Sequence, residues 1–450
     1  LSADRGRAAG WPGPTLVAAG VVLALLPPVF DIPLAAYLSV ACLLLGGIVW
    51  VPALLGAVLR AVPPPDDALA LLAVERARHQ RHTATVAIAG VVASLALSVA
   101  LTVMVASFRD AVTQWLDTVL PADLYVRTAT SPGAADPVGL PEAFIDAARA
   151  VPGVARAEAQ RVSSVQLDDR RPAVTLIARP LADPDRDLPL TGVLRAAPDG
   201  EVGVYVSEAM VDLYRAAPGT RLALPLPDGG RASVFVRGVW RDYARQHGAV
   251  MLALADYRRL TGDLRVNDLA LWLAPGADAA AVQAALRRAG DGRAADLAFA
   301  SAGEIRATSL RIFDRSFAVT YWLQGVAIAI GLFGIAASGS AQVLARRKEF
   351  GLLSHLGLTR RQVLTVVALE GAVWTAAGTV LGAALGIAVS VVLVKVVNPQ
   401  SFHWTMDLLL PWGRLLALCL AVLAAGTATA WLSARRAASR DMAQAVKEDW

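Results

Sequence analysis

The chain has 450 residues, of which 56% are hydrophobic and only 18% charged, whereas soluble domains average about 45–50% apolar and about 25% charged. That composition excludes a disordered chain, and two cysteines exclude a disulfide scaffold. Lys and Arg number 42 against 37 Asp and Glu, a net charge of +5. The arginines flank the apolar blocks, so the basic balance reads as membrane topology and not as nucleic-acid binding.

A membrane-spanning helix needs about 20 mostly apolar residues, and six blocks meet that length in chain order. Trp11–Phe30, Ile32–Leu59, Thr83–Phe108, Ser316–Ala345 and Leu415–Ala434 carry no charge, and Gln362–Val394 carries Glu370 alone. Cys42 and Cys419 lie inside these blocks and read as packing residues. The N-terminal Arg5 and Arg7, the loop with Arg60, Arg76, Arg78 and Arg81, the loop with Arg346, Arg347, Lys348, Arg360 and Arg361, and the tail with Arg435, Arg436, Arg440 and Lys447 all fall on one side if six spans alternate. The positive-inside rule then places both termini in the cytoplasm. Tyr321, Trp322, Trp404 and Trp412 sit near the outer ends, where interfacial aromatics belong.

Between the first two spans (residues 1–60) and the third (83–108), residues 61–82 read as an amphipathic elbow helix. Asp66 caps it, Leu69, Leu72 and Val74 lie on one side, and Arg76, Arg78 and Arg81 follow. Residues 109–315 form a large extracytoplasmic domain. Asp123–Arg127 reads as a strand, Pro141–Ala150 as a helix, Ala155–Leu167 and Ala173–Ala178 as strands. A second β-α-β pattern runs Asp268–Leu273, Ala277–Ala289 and Asp296–Ala300. The stretch between them, about 202–257, is rich in strand patterns and turns, and suggests an inserted β module in an otherwise α/β fold. Gly303–Phe313 reads as a helical stalk. His247 and His403 are the domain-side histidines, and neither HExxH nor GxSxG occurs, so no catalytic constellation or metal site stands out.

The most informative segment is Arg346–Glu370. Phe350, Leu353 and Leu356 make an apolar stripe over 346–356. Gly357 suits the left-handed position that stops a helix. Thr359 and Gln362 match a capping box opening the next span. Read by itself, this is either an interfacial helix resting on lipid or a docking helix. Within the span that follows, Gly378, Gly382 and Gly386 make a small-residue row, which permits close helix packing in this subunit or against a partner. Glu370 is the one acid within a span core; it reads either as a near-interface carboxylate paired with an arginine of the 346–361 loop or as an intramembrane relay residue built on that pairing.

The same segment resembles the FtsX/MacB-type permeases of ABC transport systems, typified also by LolC and LolE. Arg346, Glu349, Gly351, Leu353, Gly357, Thr359 and Glu370 supply the elements of that family's C-terminal pattern. The order of one span, a large external domain and three spans over Thr83–Ala434 matches as well. The two additional leading spans, and a first residue Leu1 in place of Met, resemble the C-terminal repeat of a duplicated, YbbP-like permease.

The resemblance implies a permease subunit of the inner membrane that is not itself an enzyme. It binds no cofactor directly, and ATP is used by a separate cytoplasmic ABC ATPase. The sequence agrees, having no G-x-x-x-x-G-K-[ST] and no Gly-Lys pair. Residues 346–356, with Arg346, Arg347, Glu349, Phe350, Gly351, Leu353 and Leu356, would be the coupling helix of a three-span C-terminal domain (316–434) that ends in a tail over 435–450. A second permease repeat or half, membrane lipid and a periplasmic partner are further implied contacts, and lipid, lipoprotein or another envelope substrate the implied load. Two alternatives stay open: a signalling permease that switches on a cell-wall hydrolase without transport, and an ion-gradient-driven transporter.

Overall fold

The computed structural model describes residues 11–29, 32–79, 81–128, 139–227, 229–290, 297–345 and 357–438. In chain order, α1 Pro12–Ala24, α2 Leu34–Ala61, α3 Ala68–His79 and α4 Arg81–Val119 lead into an α/β region. That region runs β1 Leu124–Thr128, α5 Glu142–Ala150, β2 Val154–Val165, β3 Val174–Arg179, β4 Leu190–Thr191, β5 Val202–Ser207, α6 Glu208–Tyr214, β6 Arg221–Pro225, β7 Arg231–Trp240, β8 Ala249–Ala253, α7 Leu254–Thr261, β9 Asp268–Leu273, α8 Ala279–Ala289 and β10 Leu297–Ser301. Helices α9 Ala302–Ala345, α10 Arg360–Val392, α11 Asn398–Phe402 and α12 Trp412–Ala438 follow. Contacts divide the chain into two units. One is Leu1–Phe108, Arg315–Ser401 and Met406–Trp450; the other is Arg109–Asp314 together with the tetrapeptide Phe402–Thr405.

Among the described residues, five helices are long and apolar enough to cross a membrane: Leu34–Ala61, Ile88–Val119, Ala302–Gly334, Arg360–Phe402 and Trp412–Leu432. The first apolar block behaves differently from the sequence expectation of a sixth full span. It gives α1, 13 residues long, which at about 1.5 Å per residue reaches only about 20 Å of the roughly 30 Å hydrocarbon core. Pro27 and Pro28, beyond its end, cannot continue it. Small residues let α1 lie close on α2: a Cβ on Gly20 would meet Leu43 at 2.9 Å, and Ser39 Oγ donates to the Gly20 carbonyl at 2.7 Å. Helix α10 sits among its neighbours. Val51, Leu55 and Leu59 of α2 pack with Ile88 and Val92 of α4 and Ala377 of α10. Val91, Leu95, Val99 and Val103 of α4 pack with Leu415 and Val422 of α12.

The α/β unit is built on one sheet of ten strands, ordered β10-β1-β9-β2-β3-β8-β5-β7-β4, with β6 paired to β7. The 12-residue β2 joins its halves, pairing with β9 through Val154–Gln160 and with β3 through Arg161–Val165. On one half, Phe144, Ile145 and Ala148 of α5 and Val282 and Leu286 of α8 bury the apolar faces that their helical spacing predicts, against β1 and β9. On the other half, β5, β7 and β8 are buried against Met210 and Tyr257. The stretch 202–257 is therefore no separate β module. It holds two helices, and its strand β8 pairs in parallel with β3, so it completes the same sheet. Alternation and turn residues mark strands in sequence but carry no information on which distant strand each will pair with, hence the difference.

Candidate functional site

The residues that open α10 adopt the geometry their types dictate. Gly357 has φ +96°, a conformation costly for any residue with a Cβ. Thr359 Oγ1 accepts from the Gln362 amide at 3.3 Å, and the Thr359 amide donates to Gln362 Oε1 at 2.8 Å, a reciprocal capping box. Arg360 and Arg361 follow in the first turn and are exposed. Cations at a helix N-terminus oppose the helix dipole, so their placement is not explained by helix stability. Arg346, Arg347, Glu349, Phe350, Gly351, Leu353 and Leu356 lie outside the described residues.

Three turns into α10, Glu370 is 2% exposed and meets Arg76 of α3, itself 14% exposed, with Nε–Oε2 at 3.4 Å. One turn further, Trp374 Nε1 donates to the Ala77 carbonyl of α3 at 3.4 Å. The other side of α3 is tied to the end of α2: Arg78 donates to the carbonyls of Leu59 at 3.1 Å and Val62 at 2.5 Å. Helix α3 is thus a cross-piece between α2 and α10. The sequence marks Glu370 as an unusual acid and α3 as a basic amphipathic helix, but does not join them. The available signal is that a carboxylate at this depth requires a cation, and α3 is a basic segment that ends at a span boundary.

Gly378, Gly382 and Gly386 face α4 of the same chain. A Cβ on Gly378 would meet Ile88 at 3.3 Å, on Gly382 Leu95 at 3.1 Å, and on Gly386 the Ala96 carbonyl at 2.6 Å. The row therefore lies against α4 of the same chain. A polar clamp that sequence patterns do not reveal lies on α4 and α9, where Gln324 Nε2 donates to Thr102 Oγ1 at 2.8 Å and to the Ser98 carbonyl at 3.2 Å. A lone Gln in an apolar block carries no pairing information by itself.

Helices α4 and α9 are 39 and 44 residues long, about 59 and about 66 Å at 1.5 Å per residue, roughly twice what a bilayer core requires. Within the α/β unit they run side by side: Arg109 pairs with Asp314 at 3.1 Å, and Arg306 pairs with Asp117. Eight residues along α4 match eight back along α9, the register of two antiparallel helices. Within the helical unit, Phe108 meets Phe317 edge-on at 5.8 Å. The stalk expected over Gly303–Phe313 is thus the first part of one unbroken helix.

Comparison with known proteins matches two regions of the chain. The FtsX-like permease C-terminal model matches residues 323–442, and the MacB-like periplasmic core domain model matches residues 84–289. An uncharacterised ABC transporter permease protein of Mycobacterium tuberculosis is 30% identical over 365 residues, which is 77% of this chain and 42% of that protein. The chain thus spans about two fifths of the length of that relative. Among solved structures, the periplasmic region of MacB from Actinobacillus actinomycetemcomitans aligns at 11% identity and TM-score 0.32, over 43% of this chain and 94% of that one. The extracellular domain of YknZ, a noncanonic ABC-type transporter of Gram-positive bacteria, aligns at 16% identity and TM-score 0.28, over 40% and 98%. With an FtsX-like permease region and a MacB-like periplasmic core region matched in order on one multi-pass membrane chain, the protein is similar, over most of its length, to the FtsX/MacB-type ABC transporter permeases.

Proposed function

We propose that this chain is a permease subunit, or the C-terminal repeat of a longer YbbP-like permease, in which ATP hydrolysis by a separate cytoplasmic ATPase moves the extracytoplasmic α/β domain. The load is lipid, lipoprotein or another envelope substrate. The chain resides in the inner membrane with both termini cytoplasmic, and a second permease repeat or half completes the assembly.

The observation that carries this reading is the pair of long helices. Helix α4 leads directly into β1, and β10 leads directly into α9. These two strands are neighbours in the sheet, registered Leu124 to Ser301 through Thr128 to Leu297. A shift of α4 against α9 therefore acts on two adjacent strands and not on a floppy linker. In this reading segment 346–356, which includes Glu349 and Gly351, docks on the ATPase through Phe350, Leu353 and Leu356, with Arg346 and Arg347 at the rim. The capped start at Thr359 and Gln362 makes α10 rigid from its first residue. Glu370, through Arg76, passes its displacement to α3.

A detergent pull-down from native membranes tests the docking step. The native chain is expected to recover an ABC ATPase, and a Leu353→Glu, Leu356→Glu chain that still folds is expected to lose it. Equal recovery by both chains, or no ATPase with either, sinks the coupling-helix reading.

A further inference from the structure

The tetrapeptide Phe402–Thr405, the last residue of α11 and the three that follow it, packs with the α/β unit. Its backbone carries a cost that shows it is held there: His403 has φ +60°, the left-handed region that a side chain with a Cβ disfavours. Every polar group of Thr405 is engaged. Its amide donates to Glu208 Oε2 at 2.8 Å, its hydroxyl donates to Glu208 Oε1 at 2.6 Å, and its carbonyl accepts from the Tyr243 hydroxyl at 3.0 Å. One turn along α6 from Glu208, Asp212 meets His403 Nδ1 at 3.2 Å. Trp404 is 5% exposed. It stacks on Phe402 at 5.7 Å and meets Tyr243 edge-on at 4.8 Å, and Tyr243 in turn meets Trp115 of α4 edge-on at 5.8 Å. Trp404 is therefore no interfacial anchor, as its position near a span end suggests.

The receiving element is itself fixed in the sheet. Ser207, just before α6, accepts from the Ala249 amide of β8 at 2.9 Å. Met210 of α6 is fully buried in the core of β5, β7 and β8. Burial raises the Glu208 carboxyl, while the Thr405 bonds and Arg241 act against that rise and Asp212 adds to it. A half-buried acid with both oxygens committed to one residue is a joint and not a solvated side chain. On the membrane side, Lys395 lies in a π-helical turn, Leu393–Val397, and donates to the Met406 carbonyl at 3.0 Å. Such turns are frequent at functional positions.

We propose that Phe402–Thr405 is a strap that ties α6 to the loop joining the last two spans, so that movement of α10 and α12 reaches the sheet at β5-β7-β8 by a route independent of the α4–α9 stalk. Glu208 and Thr405 are its positioning residues. The relay rests on the ATPase-coupled reading above; the strap as a contact does not.

Hydrogen exchange on the full chain in nanodiscs separates the two. In the chain without its ATPase, Glu208→Ala and Thr405→Val are each expected to speed exchange of the α6 amides about tenfold, the size expected for loss of a charge-assisted bond. Thr405→Ser, which keeps the hydroxyl, is expected to match the native chain. Unchanged α6 exchange in both variants overturns the strap. With the copurified ATPase and a non-hydrolysable ATP analogue, the native chain is expected to change protection at α6 and in the stalk. In Thr405→Val the α6 change is expected to vanish while the stalk change persists. An α6 response equal in native and variant chains overturns the relay. No response in either the stalk or α6 overturns the ATPase-coupled reading and the relay with it, and leaves the first measurement to decide the contact.

Discussion

Glu370 shows how a single residue can be legible in type and illegible in partner. An acid in an apolar run is visible at once, and its burial requires compensation, since removing one member of a buried ion pair costs about 3–5 kcal/mol. That the compensation comes from Arg76, almost 300 positions away in sequence, is a fact of packing which no local pattern carries. The same physics gives a test. Arg76→Met takes this cation away from the buried carboxylate and is expected to lower the detergent unfolding midpoint of the full chain, by up to the equivalent of about 3 kcal/mol. Adding Glu370→Leu removes the buried charge and is expected to restore most of the loss. A double variant no better than the sum of the two single variants would show that the pair is not coupled. By contrast the Thr359–Gln362 box is readable in full, because cap, turn glycine and N3 partner all lie within six residues.

At the scale of elements, what sequence periodicity can describe is what lies within one helix or one strand. The α5 and α8 faces and the strands β1 and β9 follow from spacing and end signals, whereas α3 is shorter than the expected 61–82 and its first turn is capped by Asp67, whose carboxylate accepts from the Ala70 amide at 2.9 Å, in place of Asp66. What it cannot describe is pairing. The long β2 changes partner midway, from β9 to β3, and this turns two apparent modules into one sheet. The glycine row is a further case. Its spacing of four announces a close approach but not against what, and the structure answers with α4. A side chain at Gly386 has nowhere to go, because the Ala96 carbonyl at 2.6 Å is backbone and cannot rotate away. Gly386→Leu is therefore expected to force α10 off α4 and destabilise the helical unit by more than the ~1–3 kcal/mol typical of overpacking. Gly325→Leu, on α9 where an added Cβ would meet no atom within 4 Å, serves as the control. Equal unfolding midpoints for the two variants would show that α4 and α10 are not in close contact.

For the whole molecule, the two chain crossings enter the α/β sheet at its β10–β1 end, and α6 belongs to the β5-β7-β8 half at the other end. In the strap proposal a second attachment acts at α6, on the half of the sheet that β2 joins to the half entered by α4 and α9. This separates two contributions that a single deletion would confuse. Thr308→Pro breaks α9 between its two ion-paired positions, Arg306 and Asp314, because proline in a helix interior removes a backbone bond and costs about 3 kcal/mol or more. Among the described residues, the core clusters around the sheet include none from α9, so that unit is expected to remain folded, with native exchange rates in β5, β7 and β8. With the ATPase and a non-hydrolysable nucleotide present, the response of β1 and β10 is expected to be lost while that of α6 is retained, and Thr308→Ala is expected to behave as native. If α6 loses its response together with β1 and β10, the stalk carries all of the motion and the sheet moves as one rigid body.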